Sequence, residues 1–239
     1  GMSNVGMRIL YGIMNNMEGV WCERAFAPWG DMEEEMRSHH LPLWTLESHD
    51  PLEEFDVIAF SLGYEMAYSN VLNMLELGNI PLKSCDRGDS LKHLVIAGGT
   101  SVYNPEPMAD FLDICIEGEG EDVDVELLEC YRSAKRRGLS RHEFLLEAAK
   151  IPGIYVPSLY EHTYNDDGTI REIIPLEGAP KIVTKRIVQD MDAAYYPTET
   201  IVPSTQIVHD RTVLELFRGC IRGCRFCQAG FCYRPVRPK

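Results

Sequence analysis

Several features are scarce in this chain of 239 residues. It has no apolar run near the roughly 20 residues that cross a bilayer as a helix. Its start, "GMSNVGMRILYGIMNN", lacks a basic stretch followed by an apolar core and a small-residue cleavage site, so no signal peptide is expected. Gly1 before Met2 reads as a tag scar, and a soluble, cytoplasmic protein is the expectation. Positive charge is short: 23 Lys and Arg face 37 Asp and Glu, for a net charge of −14. That excludes general nucleic-acid binding over the whole surface, which needs cations against phosphate. Internal repeats and low-complexity segments are absent, and no G-x-G-x-x-G stands at the glycine-rich positions 98–99 and 118–120. The eight cysteines are not spread as a disulfide framework. Cys22, Cys85, Cys115 and Cys130 are isolated, and the other four crowd into residues 220–232, a clustering that points to metal rather than disulfides.

What is present is ordinary globular material, 45% hydrophobic and 25% charged, enough to bury a sizeable core. The charge is uneven. Residues 211–239 carry Arg211, Arg218, Arg222, Arg225, Arg234, Arg237 and Lys239 against Glu215 alone. A basic island in an acidic chain suggests a local anionic ligand; the alternative is a basic strand end that contacts an acidic partner surface.

The apolar spacing predicts a helix over 5–18, a short strand at "CERAFAP", a helix at "GDMEEEMRSHH" capped by Asp31, and a strand at "LPLWTLES". "FDVIAFSLGY" (55–64) has the continuous apolar run of a strand buried on both faces, followed by a helix ending near Gly78. "HLVIAGGTSV" (93–102) and "DICIEGEGED" (113–122) predict two more strands, with a short helix at "NPEPMADFL" between them. Two helices follow, the second capped by Ser140. Alternation of strand and helix predicts an α/β fold with a doubly wound, mostly parallel sheet of flavodoxin or Rossmann type. Such sheets bind ligands at the carboxyl ends of their strands. Gly98, Gly99, Gly118 and Gly120 stand there, either to let a cofactor approach the backbone or simply to make tight turns. From 151 the texture changes. "NDDG" predicts a hairpin turn, 151–205 reads as a β-hairpin and linker, and 211–220 as a strand leading to the first clustered cysteine.

That cluster, "FRGCIRGCRFCQAGFC", places Cys220, Cys224 and Cys227 at C-x3-C-x2-C on a loop with Gly219 and Gly223. Thiolates suit zinc or iron–sulfur sites. Three thiolates on a four-iron cluster leave one iron open to a chelating molecule. Cys232 extends the pattern to C-x3-C-x2-C-x4-C, so a closed tetrahedral zinc site is the rival, and a redox cluster a third reading.

The motif, with Phe226 before its last cysteine, resembles the signature of the radical S-adenosylmethionine (radical SAM) superfamily. The upstream "FDVIAFSLGYE", "VIAGGTSVYNPEP" and "IEGEGE" are similar to the cobalamin-binding-like domain that precedes the catalytic barrel in some members. The resemblance implies that Cys220, Cys224 and Cys227 hold a [4Fe-4S] cluster. S-adenosylmethionine would bind the open iron, near Phe226, and one-electron cleavage would yield a 5′-deoxyadenosyl radical. It further implies a flavodoxin- or ferredoxin-type electron donor. The expected organisation is a cobalamin-binding-like unit at 2–150, the hairpin and linker at 151–205, and the start of a truncated radical SAM barrel at 206–239, a fragment inactive by itself. None of the seven histidines stands in D-x-H-x-x-G, so any cobalamin would bind without a histidine ligand. The alternative is a cofactor- or partner-binding α/β module with a zinc-stapled tail.

Overall fold

The computed structural model describes residues 4–199, 202, 204 and 213–239. Helix α1 (Val5–Asn15) opens with Asn4, whose side chain accepts the Met7 amide. Helix α2 (Gly30–Ser38) follows. It starts two residues earlier than expected: Trp29 is the N-cap, and Asp31 lies in the first turn, where its carboxylate accepts the Met32 amide and meets the positive helix end.

The strands expected at "CERAFAP" and "LPLWTLES" do not form. Residues 21–29 are irregular, and the second segment makes only an isolated bridge from Trp44 to Pro51. One backbone bond, from the Leu46 amide to the Arg24 carbonyl at 2.8 Å, joins these two segments, and polar side chains supply the rest. Arg24 donates through its amide and Nε to Glu47 at 2.8 and 2.6 Å, and Glu23 accepts from the Ser48 amide and hydroxyl at 3.1 and 2.8 Å.

Strand β1 (Val57–Ser61), helix α3 (Tyr68–Leu77), strand β2 (Leu94–Gly98) and strand β3 (Ile114–Ile116) appear where the apolar runs predict them. Between β2 and β3 the chain makes 3-10 turns at Thr100–Tyr103 and Glu106–Met108 rather than a helix. Helix α4 (Gly120–Arg137) ends on Gly138 in the left-handed conformation. Helix α5 (Arg141–Ala148) begins with a capping box in which Ser140 and Glu143 each accept or donate across the first turn. Strand β4 (Ile154–Tyr155) then returns to the sheet.

The sheet order is β1-β2-β3-β4, parallel except for antiparallel β4. This is a mostly parallel α/β sheet, but its order follows the chain and does not reverse as a doubly wound sheet does. β1 is an edge strand, not one buried on both faces, and Ala59 is exposed. β2 is central, and its alternating side chains feed two cores. Val95 and Ala97 join Met36, Val71 and Leu75 on one face; Leu94 and Ile96 join Val123, Leu127, Phe144 and Ala148 on the other. Helices therefore cover both faces. β5 (Tyr160–Tyr164) and β6 (Ile170–Pro175) form the expected hairpin, with Gly168 at φ +81° in its turn. Among the described residues no helix is long and apolar enough to cross a membrane.

Candidate metal centre

The last elements are small. β7 (Phe217–Arg218) pairs antiparallel with β8 (Arg237–Pro238), closing a loop over 219–236 that contains helix α6 (Ala229–Cys232). The strand expected over 211–220 is thus only two residues long where described; residues 211 and 212 lie outside the described residues. Gly219 makes the loop possible. Its φ is +100°, and a Cβ there would stand 2.6 Å from the Pro235 carbonyl oxygen. Cys220 follows at once.

Cys220 and Cys227 are half-buried and Cys224 is exposed; all are free thiols. The Arg222 amide lies 3.4 Å from Cys220 Sγ, and the Cys227 amide donates to the Cys224 carbonyl. Arg234 braces the loop from inside, donating to the carbonyls of Arg222 at 2.8 Å and Cys220 at 3.4 Å. Phe226 is 92% exposed. The donor chemistry fits an iron–sulfur cluster: three thiols on one short loop with backbone amides nearby. The three are not gathered round one point, however, because no group of three or more His, Cys, Asp or Glu among the described residues is placed to hold a metal ion. Cys232 stands apart from them. It is buried on α6, its carbonyl accepts from Tyr103 and Lys185, and burial raises its thiol pKa while Lys185 and Gln228 oppose the rise.

The loop sits on the carboxyl ends of the sheet. Glu119, just past β3, accepts from the Val188 amide at 2.6 Å and from Arg237 Nη1 at 2.7 Å, with Arg237 Nη2 on its other oxygen. Arg218 reaches Glu121 at 2.6 Å and Glu215 at 2.7 Å, and lies 3.6 Å from Glu119. Burial pushes the Glu119 carboxyl up, but Arg237, the Val188 amide and Arg218 outweigh it and hold the pKa below the usual range. Two members of the basic island are therefore answered by the chain's own acids rather than by an anionic ligand or a partner surface. Lys185 adds a second grip, donating to the carbonyls of Phe231, Cys232 and Arg234.

The glycines expected to face a cofactor meet protein. A Cβ on Gly99 (φ +107°) would lie 2.4 Å from the Leu62 oxygen, and one on Gly118 (φ +112°) 2.0 Å from the Arg186 oxygen. Residue 186 runs parallel to 118 as a backbone strap, with the Arg186 amide donating to Glu117 and the Glu119 amide to Arg186. A Cβ on Gly120 would meet Asp124 and Leu10, whereas Gly98 has ordinary room. Beside the strap, burial raises the Glu117 carboxyl to about 7. Lys185, Arg186 and Glu119 were not singled out by the sequence; the opposition of an acidic "EGEGED" to a basic tail was the available signal.

Residues 6–157, which span α1 through β4, match the family described as radical SAM proteins, N-terminal. The chain belongs to this radical SAM N-terminal family. The matched region ends before the cysteine loop, so family membership and the C-x3-C-x2-C motif are independent observations. The radical SAM chain is also 29% identical over 204 residues to an uncharacterized protein of Methanocaldococcus jannaschii, covering 84% of this chain and 36% of that relative. It thus spans about a third of the length of the curated relative it matches.

Proposed function

We propose that the protein acts as a radical SAM enzyme in which Cys220, Cys224 and Cys227 hold a [4Fe-4S] cluster. The observation that carries this reading is the conjunction of a radical SAM N-terminal unit at 6–157 with a separate C-x3-C-x2-C loop seated on it. When bound, the cluster supplies the electron that cleaves S-adenosylmethionine to methionine and a 5′-deoxyadenosyl radical. The chain's own residues do the holding. Gly219 turns the backbone into the loop, and Arg234 ties two of its carbonyls. Arg222 and Arg225 are exposed on the same loop. Phe226 offers an exposed ring for the cosubstrate. The proposed reaction further calls for a catalytic barrel, a flavodoxin- or ferredoxin-type electron donor and a substrate. The likeness of residues 2–150 to cobalamin-binding domains rests on the stretches "FDVIAFSLGYE", "VIAGGTSVYNPEP" and "IEGEGE".

The burial of Cys232 against the α/β unit favours three ligands over a closed set of four. Anaerobic reconstitution with iron and sulfide should give about four irons per chain and broad visible absorbance. Alanine at Cys220, Cys224 or Cys227 should abolish both, while Cys232→Ala should retain both. Recovery of one zinc that needs all four cysteines would overturn the proposal in favour of a zinc-stapled binding module.

A further inference from the structure

The cysteine loop does not hang from the fold; its two ends converge on one carboxylate. Arg218 lies two residues before Cys220, and Arg237 pairs with it across the β7–β8 base. Glu119 is the acid that faces both, at 3.6 Å from Arg218 and 2.7 Å from Arg237 Nη1. It is also fixed from behind: the Glu119 amide donates to Arg186 at 2.9 Å, and its carboxylate accepts the Val188 amide at 2.6 Å. One side chain thus joins the end of β3, the strap at 186–188 and both legs of the loop. It is largely shielded, its side chain being 14% exposed and those of Arg218 and Arg237 13%. Screening by solvent is weak at such a site, so the pairs are worth more than surface ones.

Glu121 and Glu215 do not duplicate this arrangement. Both bind Arg218, on one leg of the loop; no acid other than Glu119 pairs with Arg237 among the described residues. Loss of Glu119 leaves the amino-terminal leg anchored and strips the carboxyl-terminal leg of its carboxylate contact, leaving it to Lys185 and to the Arg237 bond with the Val188 carbonyl; that leg carries Arg234, the side chain that ties the carbonyls of Cys220 and Arg222.

We infer that Glu119 is a positioning residue. Through Arg237 and Arg218 it sets the placement of the cysteine loop on the α/β unit, and so the presentation of whatever the three thiols hold. The second half of this inference rests on the cluster reading; the first half does not.

The experiment uses the full chain with Glu119→Gln, which keeps shape and removes charge, and Arg237→Gln, which breaks the same contact from the tail should the first variant fail to fold. Hydrogen exchange is followed by peptide without metal. After reconstitution with iron and sulfide, the electron paramagnetic resonance signal of the reduced protein is recorded before and after S-adenosylmethionine is added. The expected result is roughly tenfold faster exchange over 217–237 in both variants, with β1–β3 unchanged. The reconstituted variants keep their iron, but the signal loses the single line shape that S-adenosylmethionine induces in the parent. Loop exchange equal to the parent's in both variants overturns the inference. So does an identical spectrum on adding S-adenosylmethionine. If the parent takes up no iron while Glu119→Gln still loosens the loop, the positioning role stands and the cluster reading falls.

Discussion

Replacing Asp113 with alanine tests the buried charge cluster that fixes β3 in the sheet. Asp113 is 3% exposed. One carboxylate oxygen accepts from Arg87 Nη1 at 2.8 Å and from the Val95 amide at 2.7 Å; the other lies 2.8 Å from Arg141 Nη1. Both guanidiniums are buried, and their remaining N–H groups point at carbonyls: Pro81, Leu82 and Phe111 for Arg87, Ser90 and Lys92 for Arg141. Burial draws the Arg87 pKa down and Asp113 works against that. Without the carboxylate, two cations and one amide lose their partner. Breaking a buried ion pair from one side costs about 3–5 kcal/mol, and an orphaned buried amide about 1–3 kcal/mol. The retained carbonyls solvate the guanidiniums in part, which places the expected loss near the low end, about 4 kcal/mol. With a urea slope of about 3 kcal/mol per molar, the unfolding midpoint should fall by roughly 1.3 M. The exposed Arg132–Glu129 pair is the control. Glu129→Ala should change stability by no more than about 0.5 kcal/mol. A midpoint shift at Asp113→Ala as small as that control would refute the reasoning, because it would mean that the two arginines are solvated well enough alone.

Other predictions concern packing, backbone and pH. Phe144→Ala, at a side chain with no exposure that meets Tyr131 edge-on at 5.6 Å, should lose about 3–5 kcal/mol in the same urea titration. Gly118→Ala should be strongly destabilising because its Cβ would sit on the Arg186 backbone, whereas Gly223→Ala has open space and should leave the thermal midpoint within a degree or so. Glu117 has a raised folded pKa, so the unfolded state binds fewer protons between the ordinary carboxylate range and about 7, and its contribution to stability falls as pH rises through that window. Glu117→Gln should accordingly help the fold more at pH 8 than at pH 5; equal thermal shifts at the two pH values would count against burial as the cause.

The central strands were readable because nothing else explains their residues. "LVIAG" and "ICI" are continuous apolar runs, and both proved buried on two faces. Ser140 and Glu143 announced the start of α5 by chemistry alone, and "NDDG" did the same for the β5–β6 turn. Position within the sheet was not readable. β1 carries as apolar a run as β2, yet its edge place follows from strand order, which no local pattern encodes. The two missing strands failed for another reason. The Arg24 amide goes to the Glu47 carboxylate and Glu23 to Thr45 and Ser48, so a single backbone bond, from the Leu46 amide to the Arg24 carbonyl, stands where a ladder was expected. At the candidate site the thiols were legible from spacing, but their holder was not. Glu119 and Arg237 pair across 118 residues of sequence, and Lys185 reaches the loop carbonyls from the strap that crosses the end of β3 at Gly118.

The crossing at Gly118 has one more consequence. In open parallel sheets the outlet of the strands is usually where small molecules lodge. Here Leu62 covers Gly99 and Arg186 covers Gly118, so that outlet is roofed by main chain. The rim works as a seat for the polypeptide's own main chain, from before the sheet's second strand at Leu62 and from after its fourth at Arg186, and hydrogen atoms are all that separates the roof from its supports. A methyl group added at Gly118 would press on the Arg186 backbone, whose neighbour Lys185 holds the carbonyls of Phe231, Cys232 and Arg234 in the cysteine loop.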